Sequence, residues 1–399
     1  MEKSKNGPSL NRRKAMAAGV SASLMVPASC AAAQQSRSQD WWGWRGPTFN
    51  NHAAADAKLP SSITPQAVAW EVSIPGRGHS TPVVVGDSIF LTTADKAAGT
   101  QSVLAIGREG KGLWGKVIHS GGIPTENHPN NTEASPTLAY DGEALFASFY
   151  NSDRIQLTKL TIDGNILWQK EAGRYSPNQY KYGYAASPLI YRNLVIVNAD
   201  FDGAAFLAAL NRESGEIVWK VARPGKISFS SPIVANLAGR DQLLLSGGEM
   251  VAAYDPSNGN ILWKVDGATT MATCGTMVWD GDLVFASGGY PESETVCIKA
   301  DGSGKLLWSN RTKCYEQSMV ARDGFLYAVA DSGVAYCWRG SDGNTMWRQR
   351  IGGQFSSSPL LIGDTIVVFS EDGNGFAFAA SPQGFKGLGQ AKIADEVLS

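Results

Sequence analysis

Apolar residues along this chain fall into short runs broken by glycine, aspartate, asparagine and serine. The runs are rich in valine, isoleucine, leucine and aromatics and too short for ordinary helices, so they predict strands. Asp141-Gly142, Asp163-Gly164, Asp280-Gly281 and Asp323-Gly324 mark hairpin turns between them. Four such runs make a unit, and the unit recurs. Thr81-Pro82, Ser135-Pro136, Ser187-Pro188, Ser231-Pro232 and Ser358-Pro359 each precede an inner hairpin, and Thr276-Met277 and Ser318-Met319 hold the same place without proline. A tryptophan closes each unit: Trp70, Trp114, Trp168, Trp219, Trp263, Trp308 and Trp347, at spacings of 44, 54, 51, 44, 45 and 39 residues.

Six of these tryptophans follow a glycine by four residues: Gly110, Gly164, Gly215, Gly259, Gly304 and Gly343. A glycine there supplies the positive φ of a tight turn before the fourth strand. The indole can then bury ~200 Å² between neighbouring sheets, with a small residue ten places earlier, as at Ala209 and Ala253, leaving room for it. Four strands per unit, repeated, predict an all-β protein: a seven-bladed β-propeller of four-stranded antiparallel blades, with eight blades as the alternative. Trp70 has no hairpin before it, and Leu388 stands where the last unit should carry tryptophan. The simplest reconciliation is that the Trp70 strand completes the blade begun near Ser358, which removes a free sheet edge. The expected organisation is an export signal at 1–33, a lead-in at 34–66, the propeller at 67–390 and a tail at 391–399.

Composition adds the compartment. Hydrophobic content of 43% with 18% charged residues fits a folded chain. With 35 basic and 36 acidic residues the chain lacks the basic excess of a nucleic-acid binder. Arg12-Arg13-Lys14, the weakly apolar stretch Ala15 to Val26 and Ala31-Ala32-Ala33 read as a removable leader of twin-arginine type. The general secretory route and a retained anchor are the alternatives. Pro27 stands where a lipidation signal carries leucine, which argues against a lipid anchor at Cys30. Without residues 1–33 the chain has 30 basic and 35 acidic residues and no apolar run long enough to span a bilayer. A periplasmic or secreted protein is expected.

The pattern Ala253-Tyr-Asp255 through Gly259 to Trp263 resembles the pyrroloquinoline-quinone (PQQ) repeat family, which includes quinoprotein alcohol dehydrogenases and BamB-type outer-membrane assembly factors. Trp42-Gly-Trp44-Arg-Gly-Pro resembles the lead-in of its exported members. The resemblance covers roughly residues 67–390. It implies fold strongly and function weakly, because the tryptophan repeat is a packing device. Quinoprotein dehydrogenases commonly carry adjacent cysteines, a calcium site and a catalytic aspartate. Here no two cysteines are adjacent and no Cys-x-x-Cys-His haem motif occurs. No Ser/His/Asp triad is legible either. Asp200-Phe-Asp202-Gly and Glu371-Asp-Gly-Asn374 read as hairpin turns rather than calcium loops.

Candidate chemistry lies in the segments joining the outer strand of one blade to the inner strand of the next, above all the long ones at 115–134 and 169–186. The candidate mouth residues are Arg77, His79, His128, Asn131, Lys181, Tyr182, Tyr184, Glu316 and Phe355. His79, His119 and His128 with Glu126 form a candidate metal or anion site, against solvated loop histidines. Tyr175, Tyr180, Lys181, Tyr182 and Tyr184 suit a peptide or sugar surface. Cys297 and Cys337 read as buried packing residues. Cys274 and Cys314 are either a disulfide or free thiols at the mouth. The favoured function is a binding or scaffold module with an envelope protein or polymer as partner. The alternatives are a PQQ-dependent or metal-dependent enzyme and a carbohydrate binder.

Overall fold

Short hairpin turns keep consecutive strands adjacent, so each repeat folds into its own antiparallel sheet in chain order. The computed structural model describes residues 40–60, 63–269, 272–290 and 292–398; the expected leader and Cys30 lie outside them. Seven four-stranded sheets result. Blade 1 spans 83–120, blade 2 139–174, blade 3 189–222, blade 4 233–266, blade 5 278–310, blade 6 320–350 and blade 7 360–392. The only helical element among the described residues is a single 3-10 turn at Pro65–Ala67, and no described helix is long and apolar enough to cross a membrane.

The wedge between blades is the tryptophan, and its seat is the glycine of the next blade. At Gly259 φ is +77°, and a Cβ there would lie 2.7 Å from the Trp219 ring, so only glycine serves both the turn and the contact. The same pairing joins Trp114 to Gly164, Trp168 to Gly215, Trp263 to Gly304 and Trp308 to Gly343. Each indole N–H also needs an acceptor once enclosed. Trp114 donates to the Ile162 carbonyl at 3.0 Å, Trp168 to Arg212, Trp219 to Pro256, Trp308 to Gly340 and Trp347 to Ser381, all on the following blade. Beside these tryptophans the third strand slips register by a bulge, at Ala105, Lys159, Ala209, Ala253, Cys297 and Cys337. Cys297 and Cys337 are thus buried packing residues across from Trp308 and Trp347.

Three expectations are corrected. Trp70 is not in a strand, and blade 7 supplies its own outer strand, Gly387–Lys392. Trp70 still packs on blade 1. Its ring fills the space over Gly110 of blade 1, as the preceding blade's tryptophan does elsewhere, and its indole donates to the Arg108 carbonyl. Secondly, the tryptophan position of blade 7 is Gly389, opposite Ala377, rather than Leu388. Ile63 lies over Gly389 and Gly375, so the segment leading to Trp70 takes up space that an indole would fill. Thirdly, the inner-strand slot of blade 2 is Thr137, two residues past Ser135. The Thr81 N–H donates to Thr137 Oγ1, Thr137 N–H to Ser187 Oγ, and Ser187 N–H to Ser231 Oγ. Thr276 N–H donates likewise to Ser318 Oγ, and Ser318 N–H to Ser358 Oγ. The hydroxyl therefore links blades 1 to 4 in succession and blades 5 to 7 in succession around the channel, which explains why serine or threonine recurs there.

The lead-in enters this channel. Trp41 pairs with Val84 of blade 1 by two backbone hydrogen bonds, and the Trp42 carbonyl accepts from Tyr140 of blade 2. Trp44 Nε1 donates to Thr276 Oγ1 at 2.7 Å and Asn50 Nδ2 to the Trp279 carbonyl at 3.0 Å, both by blade 5. Arg45 Nη2 reaches the Met319 carbonyl beside blade 6, and Asn51 and Ala53 pair with Leu361 of blade 7. Phe49 packs on the cores shared by blades 3, 4 and 5. One short segment thereby touches every blade.

Candidate functional site

With the lead-in as floor, the channel becomes a cavity of about 460 Å³ open at the mouth. Every inter-blade connection contributes to its wall: His79 and Thr81, then His128 and Asn131, Tyr182 and Ser187, Phe229 and Ser231, Cys274, Tyr315 and Glu316, and Ser356 to Ser358. Trp41, Trp44, Arg45 and Asn51 come from the lead-in and Leu398 from the C-terminal tail.

Five of the nine candidate mouth residues meet here: His79, His128, Asn131, Tyr182 and Glu316. Asn131 Nδ2 donates to the Tyr182 carbonyl, and the His128 ring lies 4.7 Å from the Tyr182 ring, so the two long connections are tied together. Arg77 and Lys181 stay outside. Arg77 donates to the Pro129 carbonyl at 2.9 Å, and Lys181 pairs with Glu126 at 3.0 Å on the surface. Tyr184 and Phe355 are buried away from the cavity, correcting their assignment. Tyr184 packs between blades 2 and 3 and donates to the Asn198 carbonyl, while Phe355 packs on Phe376 of blade 7. The residues missed are Trp41, Trp44, Arg45, Phe229 and Tyr315. Only the Trp42-Gly-Trp44-Arg motif signalled that the lead-in mattered.

The metal candidates do not assemble. His119 sits on the outer strand of blade 1 with its ring on Phe149, away from the mouth. Among the described residues no three of His, Cys, Asp or Glu gather in a metal-binding arrangement. Asp200 is committed to Arg223 by two 2.8 Å contacts, and the Asp202 carboxylate accepts the Asn178 and Gln179 N–H groups. Cys274 and Cys314 are free thiols. Cys274 lines the cavity whereas Cys314 is wholly buried. Burial pushes both thiols well above their usual range, so neither is a thiolate nucleophile.

The electrostatics of the mouth follow from desolvation. Burial, then the Arg77 guanidinium, hold the His79 imidazole down at about 4. Burial raises the Glu316 carboxyl, against a hydrogen bond with Ser356, and Glu371 raises it further. His79 gives a testable consequence. Its folded value lies below the unfolded value of 6.5, so the stability it contributes is complete above that pH and lost as pH falls through about 4. Melting temperatures recorded from pH 7 to pH 4 should fall less steeply in His79→Gln than in the natural chain.

Seven tryptophan-wedged blades round a central cavity define a PQQ-type β-propeller. The family model for outer membrane protein assembly factor BamB matches residues 99–330 and, in an overlapping second match, 294–382, and the chain belongs to that family. It is 23% identical over 339 residues to the outer membrane protein assembly factor BamB of Bordetella pertussis, covering 80% of this chain and 79% of that one. Among solved structures, a europium-containing methanol dehydrogenase superposes with a TM-score of 0.65 at 13% identity, over 92% of this chain and 88% of that one. BamB from Moraxella catarrhalis superposes with a TM-score of 0.56 at 16% identity, over 78% and 85%. These likenesses establish the fold.

The quinone that the wider fold family implies does not fit the residues present. Pyrroloquinoline quinone carries three carboxylates. The cavity would offer them one guanidinium, Arg45, and would set the Glu316 carboxyl against them. The described residues also lack the carboxylate cluster that a divalent ion beside it would need.

Proposed function

We propose that this protein is a scaffold of the cell envelope that docks other envelope proteins on the mouth face of its propeller. Membership of the assembly-factor family supports the role, and the leader expected at 1–33 supports the compartment. The observation that carries it is an aromatic arch over the mouth. His128, Tyr182 and Tyr180 follow one another at 4.7 and 5.5 Å, and Tyr180 reaches Tyr290 of blade 5 at 6.1 Å, with Phe229 stacked beneath Tyr182. Tyr290 is 46% exposed. Tyrosines that present a rigid apolar face and a polar tip are enriched at protein interfaces and lose little entropy when covered. A quinone-linked oxidation rests on shared fold alone, and fold does not specify chemistry.

A photo-crosslinking residue placed at Tyr290 in the source organism should capture proteins of the outer-membrane assembly apparatus or their clients. The double variant Tyr180→Ser/Tyr290→Ser, crosslinked from a neighbouring mouth position, should reduce capture about thirtyfold or more, since hot-spot aromatics contribute roughly 1 kcal/mol or more each. Its melting temperature should stay near that of the natural chain. Capture that is unchanged in the variant, or absent altogether, refutes the arch as a docking surface.

A further inference from the structure

We infer that the floor of the central cavity is a binding site for a small organic monoanion, whose carboxylate is held by Arg45 and whose apolar body lies against the indoles of Trp41 and Trp44. Arg45 is 1% exposed, yet only one of its three guanidinium nitrogens has a partner: Nη2 donates to the Met319 carbonyl at 2.9 Å. Nε and Nη1 donate to nothing, and no carboxylate among the described residues comes within ion-pair distance. Trp41 Nε1 is likewise buried without an acceptor. Both residues line the cavity. The residues that form its floor therefore carry unpartnered donors, one of them charged, while the unpartnered buried atoms of cavity-lining residues include no acceptor. A buried guanidinium stays charged and must be compensated, and unsatisfied donors of this kind mark a missing water or ion.

The lead-in is shaped to present this group. Arg45 adopts a positive φ of 65° and Gly46 follows at +73°, where a Cβ would strike the Trp41 ring at 2.7 Å. The turn thus lays the indole against the backbone beside the arginine. A cavity of about 460 Å³ falls within the range that takes small organic ligands. One cation on the floor suits one negative charge, and the Glu316 carboxyl in the wall disfavours a second. The inference is independent of the docking role assigned to the arch, because it concerns the floor rather than the rim.

The purified leaderless protein in low-salt buffer tests it, with sodium benzoate as probe, benzamide as neutral isostere and sodium chloride as inorganic anion. Benzoate should bind by calorimetry and raise the melting temperature as its concentration rises. Benzamide should do neither, and chloride at equal concentration should have the smaller effect. Arg45→Met should abolish the benzoate response while melting, without benzoate, at or above the temperature of the natural chain, because an uncompensated buried charge has been removed. Arg45→Lys should keep the preference for benzoate over benzamide with binding weakened roughly tenfold, as a point charge replaces the planar donor set; it decides the matter should the methionine variant fail to fold. Equal responses to benzoate and benzamide, no response in the natural chain, or a response surviving in Arg45→Met would each overturn the site. A chloride effect matching that of benzoate would reduce it to a halide site and overturn the organic ligand.

Discussion

Trp263→Ala is expected to cost about 3–5 kcal/mol of unfolding free energy, at the upper end of that range, measured by urea unfolding of the leaderless protein. The ring is 4% exposed and lies within the apolar core shared by blades 4 and 5. Its N–H departs from the pattern of the other indoles and donates to Gln242 Oε1 at 2.6 Å, while Gln242 Nε2 donates to the Ala300 carbonyl of blade 5 at 2.8 Å. Truncation leaves both a cavity and a buried amide oxygen without its donor, and the two penalties add. Trp70→Ala is the internal comparison. That ring is 38% exposed and lies over Gly110 of blade 1, so its loss should cost less than half as much. Equal costs would contradict the view that inter-blade burial, rather than the indole as such, supplies the stability.

The second large effect lies at Asp200. Arg223 grips its carboxylate in the paired geometry, Nε to Oδ1 and Nη2 to Oδ2 at 2.8 Å each, with the guanidinium wholly buried. The other donors reach Tyr254 Oη at 2.7 Å and the Gly247 carbonyl at 3.1 Å on blade 4. Burial alone would lower the Arg223 guanidinium, but Asp200 and Tyr254 hold it above its usual range. Asp200→Ala strands that charge between blades 3 and 4 and should destabilise by about 3–5 kcal/mol. The double variant Asp200→Leu/Arg223→Met should recover most of the loss, because removing both charges leaves nothing uncompensated. A double variant as unstable as the single one would mean that Arg223 acts through packing rather than charge.

The repeat was legible because its determinants are local. Glycine, turn and tryptophan sit within five residues of one another, and a sheet whose strands follow in chain order needs no distant partner. The ends were illegible for the converse reason. Trp70 contacts Gly110, and Trp44, Arg45, Asn50 and Asn51 find partners 229 to 308 residues away. No periodicity records contacts at that separation. Thr137 was misread because Ser135-Pro136 offers the same residue types two places early, and only strand pairing of Ala139 with Phe146 fixes the register. At the mouth, position along the connections identified His79, His128, Asn131, Tyr182 and Glu316. It could not separate Tyr182 from Tyr184, one beside the cavity and the other turned into the core, because in an irregular connection neither period two nor period 3.6 governs which way a side chain faces.

The lead-in has one more consequence. It is made before any blade, yet its pairing with Leu361 must wait for the last one. Until the final sheet has formed, the strap can hold blades 1, 2, 5 and 6 but cannot reach across the last gap. Closure of the disc is then a late event of long sequence separation, a class of contact that forms slowly. Severing the chain between Asn51 and Trp70 would leave seven intact sheets whose clasp is held by non-covalent bonds alone.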